Sequence, residues 1–157
     1  MAAKGRIDDA KAELMELEKL AAIDGDAGLN RVKDVLAVAL LNAKARIAMA
    51  ENKDEEAIGL LREAVAKEDS LAYSEPADSF FPTRHLFGSA LIRVGRAADA
   101  ERVYRDDLSR HPDDGWALYG LAQSLRMQNR SADALATQQH FEKAWKNADV
   151  TLVASAF

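Results

Sequence analysis

Two adjacent stretches of this chain repeat the same helix–turn–helix pattern at a fixed distance. The first stretch spans residues 81–114 and turns at Gly95, and the second spans 115–148 and turns at Asn129. The two turns are 34 residues apart. One helix pair of this length cannot bury its own apolar face, so adjacent pairs must stack to form a core. The period therefore predicts an all-α chain built from stacked helix pairs.

Small and large residues recur where the helices of such a pair would touch. In the first stretch, Gly88 and Ala100 are small enough to let two helix backbones approach, and Phe87, Leu91 and Tyr104 can fill the space beside that contact. The second stretch has residues of the same kinds at the matching places, namely Leu118, Leu121, Ala122, Leu125 and Ala134.

This pattern resembles the tetratricopeptide repeat family. The resemblance implies a right-handed α-α superhelix, a solenoid of about three helix pairs with a concave binding groove, and it implies no reaction. It also implies that the chain is the C-terminal part of a longer bacterial repeat protein. One domain is predicted, with its segments in this order: a half repeat at 5–23, a repeat at 29–68, an insertion loop at 69–81, repeats at 81–114 and 115–148, and a cap at 149–157.

The first stretch departs from the family pattern at Asp107, where a second small residue is usual. Either the next helix is displaced, or the Asp107 carboxylate caps the backbone N–H groups near Gly115 and Trp116. We expect the cap. In the second stretch, Phe141 and Ala144 come three residues late, so its second helix is either longer or shifted in register.

Two connections carry acidic residues. The insertion loop at 69–81 is acidic and aromatic, and it either forms a functional surface or places Tyr73, Phe80 and Phe81 as a plug between repeats.

The segment from Asp24 to Gly28 begins like a calcium loop, but Asn30 and Arg31 follow where further acidic ligands would be needed. We interpret that segment as an ordinary helix–helix connection.

Composition narrows the possible partners. The chain has 26 acidic and 21 basic residues and a net charge of −5, which argues against binding to nucleic acid or to an anionic membrane surface. It has no cysteine, so it has neither a disulfide nor a thiolate metal site. No apolar run approaches the ~20 residues of a membrane span, and no signal peptide is evident. A cytoplasmic location is expected.

Projecting the inner face of each first helix selects a predicted peptide-binding groove. Its arginines can form forked hydrogen bonds with carboxylates, and its aromatic rings can accept apolar side chains, so the expected partner is a protein or peptide with acidic groups. Alternatively, Trp116 and Tyr119 pack against the final helix or the tail. The predicted groove residues are Asn42, Arg46, His85, Ser89, Arg93, Trp116, Tyr119, Gln123 and Arg126.

A catalytic site is not expected, and neither is a cofactor. His85 and Ser89 are one helical turn apart, and Glu75 or Asp78 could complete a hydrolase-like set or a metal site. No strained nucleophile turn accompanies them, so this remains a remote alternative to non-enzymatic protein binding. The second alternative is structural: the array packs on a missing N-terminal region, or it self-associates through its N-terminal helix.

Overall fold

A computed structural model describes residues 6–72 and 81–156 and shows an all-helical architecture. These residues form seven helices and one short hairpin, in the order α1 (Ile7–Ala21), β1 (Asp26–Ala27), β2 (Asn30–Arg31), α2 (Val32–Ala50), α3 (Asp54–Ser70), α4 (Thr83–Arg93), α5 (Ala97–Arg110), α6 (Gly115–Met127) and α7 (Ser131–Ala144). The chain divides into two compact units, Met1–Thr83 and Arg84–Phe157. Within the described ranges, no helix is both long enough and apolar enough to cross a bilayer.

In the first unit, α2 packs against both α1 and α3. Half of the buried residues of these two helices are alanines, whose small side chains let two helix backbones approach closely. The buried residues are Val38, Ala45, Ile47 and Ala48 from α2 and Ala57, Ile58, Leu61 and Ala64 from α3. No residue of α1 is fully buried, so this helix contributes a half-covered layer.

The connection between α1 and α2 differs from the expected simple turn. Asp26–Ala27 and Asn30–Arg31 pair as an antiparallel hairpin. Gly28 has φ 63° at the first position of the two-residue loop, where a type II′ turn requires positive φ. The hairpin includes the first residues of the repeat predicted at 29–68, so the first helix of that repeat, α2, begins only at Val32. Leu29 lies at the hairpin tip and is exposed.

Three turns recur with the same backbone geometry. Asn52, Gly95 and Asn129 have φ of 60°, 78° and 58°, which is the left-handed region that glycine and asparagine tolerate. In each case the N–H of the next residue donates to the carbonyl five residues earlier, at N···O distances of 2.9, 2.9 and 3.0 Å. This bond satisfies a carbonyl that the helix end leaves open. The turns at Gly95 and Asn129, which the 34-residue period aligns, therefore share one structure with the turn at Asn52.

The residue after each turn is also conformationally constant. Lys53, Arg96 and Arg130 have φ between −93° and −83° and ψ between 58° and 64°, and Arg6 before α1 has φ −94° and ψ 63°. Four residues later, an alanine N–H donates to the carbonyl of that residue in every case, at Ala10, Ala57, Ala100 and Ala134. Four helix starts thus share one local structure.

The second unit is organised around Tyr104 of α5. A Cβ atom added at Gly88 of α4 or at Gly120 of α6 would lie 2.3 or 2.2 Å from the Tyr104 ring. The ring is therefore in contact with two helix backbones, and its hydroxyl forms a hydrogen bond with the Ser155 hydroxyl. Tyr104 is fully buried as a result.

The helices α5 and α7 follow the 34-residue period. Both α5 and α7 contain 14 residues, and their first residues are Ala97 and Ser131. The suggestion that α7 is longer than its counterpart is therefore wrong. After α7, Leu152 and Ser155 are buried, whereas Val150 and Val153 are exposed. Only part of the C-terminal segment covers the second unit.

We predict that Gly120→Ala and Gly88→Ala each destabilise the chain by about 1–3 kcal/mol, because the added methyl group overlaps a Tyr104 ring that cannot move aside. Urea unfolding measures the change. Gly59→Ala in α3 is the matched control, because nothing lies within 4 Å of its added Cβ and helix propensity should stabilise it by about 0.5–1 kcal/mol. Equal effects at all three glycines would contradict close packing on Tyr104.

Candidate functional site

Two of the predicted groove residues lie in the first unit. Asn42 is half-buried, and its Nδ2 donates to the Thr83 hydroxyl at 3.0 Å. The Arg46 guanidinium lies 5.8 Å from the centre of the Phe81 ring, a cation–π arrangement, and burial lowers the pKa of Arg46. Both side chains therefore have structural contacts within the unit.

In the second unit, the predicted aromatic residues of α6 pack against α7. Trp116 meets Trp145 edge to face at 6.0 Å between ring centres, and Tyr119 meets Phe141 in the same way at 5.6 Å. Both Trp116 and Tyr119 are half-buried and not exposed as the groove prediction required. Both rings pack on aromatic residues in or just after the final helix, as the alternative interpretation expected.

The remaining groove residues of the second unit are more accessible. Arg126 of α6 is exposed, and one of its guanidinium nitrogens donates to the Gln138 side chain at 2.8 Å. Gln123 of α6 and Ser89 of α4 are half-buried, and Arg93 at the end of α4 is exposed. Trp116, Tyr119, Gln123 and Arg126 recur at three- and four-residue spacing along α6, so they share one face of that helix.

His85 is buried and not part of an open surface, with only 1% of the residue exposed. Its Nε2 lies 3.1 Å from Asp107 Oδ2 and 3.2 Å from Asp114 Oδ1. Asp107 is also buried, whereas the Asp114 side chain is partly exposed to solvent. We call these three residues the His85 cluster; it joins α4, α5 and the start of α6.

Asp107 does not cap α6, so that prediction is wrong. The N-cap residue is Asp114, whose Oδ1 accepts the backbone N–H of Ala117 at 2.8 Å. Asp114 is adjacent to the first residue of the helix, whereas Asp107 lies inside α5 and faces α4. The Asp107 carboxylate instead interacts with His85 and, at 3.5 Å, with Nδ1 of His111. Its position in place of a small residue creates the His85 cluster.

A second ion pair adjoins the cluster. Arg84 is buried, and its Nε donates to Asp106 Oδ2 at 2.7 Å. Consecutive residues of α4 thus bind consecutive carboxylates of α5. Because both interactions cross the same helix pair, they fix how far α4 can slide along α5.

The His85 cluster changes the acid–base properties of its members. Burial alone would lower the pKa of His85, but hydrogen bonds to Asp107 and Asp114 outweigh it and raise the pKa to about 9. Burial would raise the pKa of Asp114, but the His85 imidazolium and the backbone N–H of Ala117 hold it below its ordinary value. The two aspartates thus favour the protonated form of the His85 ring.

The chemistry available to the cluster differs from the hydrolase-like set considered for His85. The carboxylates that the structure places beside Nε2 belong to Asp107 and Asp114, while Glu75 and Asp78 lie outside the described residues. Within the described part of the chain, the three ligand atoms of the cluster lie within 4.8 Å of one another, a spacing that could hold a metal ion. Sequence reasoning found His85 but missed both partners, because Asp107 and Asp114 follow it by 22 and 29 residues.

Comparison with known proteins adds no family assignment: no family model and no curated protein matches the chain.

We predict that the chain loses stability as the pH rises through about 9 in metal-free buffer. The pKa of His85 is about 9 in the folded state and about 6.5 in the unfolded state. Protonation of His85 therefore stabilises the folded state fully below about pH 6.5, and this stabilisation is lost as the pH rises through about 9. Urea unfolding should give a free energy of unfolding that falls by about 3 kcal/mol between about pH 6.5 and 9.5.

The His85→Gln variant should lack this fall, because no group at position 85 then loses a proton. His140→Gln is the control, since exposed His140 interacts with Asp113 on the surface, away from the cluster, and this variant should keep the fall seen in the wild type. A profile that is the same in wild type and His85→Gln would contradict protonation of the cluster.

Proposed function

We propose that the chain is a helical-repeat module of the tetratricopeptide type that binds an acidic protein segment and catalyses no reaction. The observation that carries this proposal is the four-fold recurrence of one helix start, with an alanine donating to a carbonyl four residues earlier each time. Repeated helix pairs of this kind stack into extended arrays, and such arrays provide binding surfaces. A cytoplasmic location fits such a role.

The face of α6 that contains Trp116, Tyr119, Gln123 and Arg126 is the best supported binding surface. Its two half-buried aromatic rings pack on Trp145 and Phe141, so they lose little side-chain freedom when a ligand covers their exposed surface. Arg126 is exposed beside them and can donate to a carboxylate. Rigid aromatic rings next to an arginine are the residue types that dominate protein–protein binding energy.

A displayed library of random peptides, selected on the full chain, tests this proposal. We expect enrichment of peptides with acidic and apolar residues, and fluorescence anisotropy should show that Arg126→Glu weakens the best of them by about tenfold through charge repulsion. Arg62→Glu is the matched control, because Arg62 is exposed on α3, which contributes no residue to the predicted groove. No enrichment, or equal binding to Arg126→Glu, would refute the binding surface.

A structural role is the second candidate, and the surface of α1 favours it. Met15 and Leu20 are 60% and 52% exposed. Side chains of α1 and α2 also line a groove with a cavity volume of about 370 Å³; most of them are apolar, and Glu13 and Arg46 are the charged ones. Covering this surface with a second copy of the chain would remove apolar area from water, at ~25 cal/mol per Å².

We predict that a structural role gives concentration-dependent dimers in size-exclusion chromatography with light scattering. The double variant Met15→Lys/Leu20→Lys should weaken dimerisation by about tenfold or more, because two charges would then face an apolar interface. Leu135→Lys is the control, since Leu135 is equally exposed, on α7. A wild-type chain that stays monomeric at about 0.5 mM would eliminate self-association through α1.

A further inference from the structure

The two carboxylates of the His85 cluster share one ring nitrogen of His85 as their hydrogen-bond partner. Nε2 carries one hydrogen at most, yet carboxylate oxygens of two aspartates lie 3.1 and 3.2 Å from it. One N–H shared between two oxygens cannot point directly at both. Among the described residues, the buried Asp107 carboxylate has only the rings of His85 and His111 as partners, and His111 is distant and exposed. A buried carboxylate that accepts no backbone N–H is costly unless another positive charge compensates it.

The same three atoms have the arrangement of a coordination site. Metal–ligand bonds of about 2.0–2.2 Å place neighbouring ligand atoms about 3.0–3.5 Å apart. The two distances from Nε2 to the aspartate oxygens fall in this range. The ligands are one imidazole nitrogen and two carboxylate oxygens, a set suited to divalent first-row transition metals, since Mg²⁺ and Ca²⁺ prefer oxygen ligands alone.

We propose that His85 Nε2, Asp107 Oδ2 and Asp114 Oδ1 bind a divalent transition-metal ion of the Zn²⁺ class. The ion binds each carboxylate directly, whereas without it the two carboxylates share one N–H of His85. The two carboxylates and a neutral imidazole together balance its two positive charges. The proton that leaves Nε2 when the metal binds passes to solvent.

The surroundings of the cluster suit a metal that holds helices together. The ligands come from α4, α5 and the residue that begins α6, so one ion would join three helices. Asp114 Oδ1 also accepts the Ala117 N–H, which orients this carboxylate in the way that outer-shell hydrogen bonds orient metal ligands. The Asp114 side chain is 23% exposed, which gives the ion an entry path from solvent.

Calorimetric titration of the metal-stripped full chain with ZnCl₂ tests the proposal. We expect one Zn²⁺ per chain with a Kd in the micromolar range or tighter. Asp107→Asn and Asp114→Asn should each weaken binding by at least about tenfold, since a ligand charge is lost while side-chain shape is kept. Asparagine also caps helices well, so Asp114→Asn keeps the start of α6 intact and separates metal binding from capping.

The double variant His140→Gln/Asp113→Asn is the matched control. It removes a His–Asp pair at 2.8 Å on the exposed surface, and we expect Zn²⁺ affinity within about twofold of wild type. Binding that is lost in this control but kept in Asp107→Asn would place the metal on the surface and overturn the proposal. A wild-type Kd above about 1 mM would overturn it as well.

A spectroscopic measurement on the wild-type chain decides the matter even if the cluster variants fail to fold. On addition of Zn²⁺, the ¹⁵N resonance of His85 Nε2 should move to the position of a metal-bound nitrogen, while those of His140 stay unchanged. A His85 Nε2 resonance that does not move at saturating Zn²⁺ would refute coordination by this residue.

Discussion

Close approach of helix backbones to a single buried ring is the constraint on which the second unit depends. Tyr104 of α5 touches α4 and α6 at points where any side chain larger than hydrogen would overlap it. Two glycines therefore set the distance between three helices. Dispersion contacts at this distance are numerous, and a gap of even one methyl group would remove many of them. The rest of the unit, including the C-terminal Ser155 that meets the Tyr104 hydroxyl, is arranged around that ring.

The same tight packing explains the unusual chemistry of the His85 cluster. Helices this close exclude water from the space between α4 and α5, so charged groups placed there must compensate one another. His85 stands one helical turn before Gly88 on α4, and Asp107 lies three residues after Tyr104 on α5. The position where the repeat pattern has a carboxylate in place of a small residue is therefore buried. The residue that departs from the repeat pattern, Asp107, is therefore also a member of the His85 cluster.

Sequence reasoning recovered the parts of the structure that depend on local chemistry. Helix pairs and the turns at Gly95 and Asn129 follow from residues that are close together in the chain. The hairpin before α2 escaped it, because two-residue strands carry no periodicity and Gly28 alone signals the turn. The role of Asp107 was missed because its partner, His85, is 22 residues away. Two residues of the predicted groove, His85 and Trp116, have surroundings that depend on tertiary contacts. His85 is buried and Trp116 packs on Trp145, and a repeat pattern encodes neither contact.

The adjacent ion pairs between α4 and α5 have a consequence for how repeated helices find the correct neighbour. Arg84 and His85 bind consecutive carboxylates of α5. Those carboxylates belong to Asp106 and Asp107. The residues of α7 that lie 34 positions after them are His140 and Phe141, and neither has a carboxylate. Because α5 and α7 have equal length and follow similar turns, a folding chain contains two helices of nearly the same shape that could pack on α4. Pairing with α7 would leave two basic groups buried without counter-charges, so electrostatics discriminates between partners that shape alone would confuse.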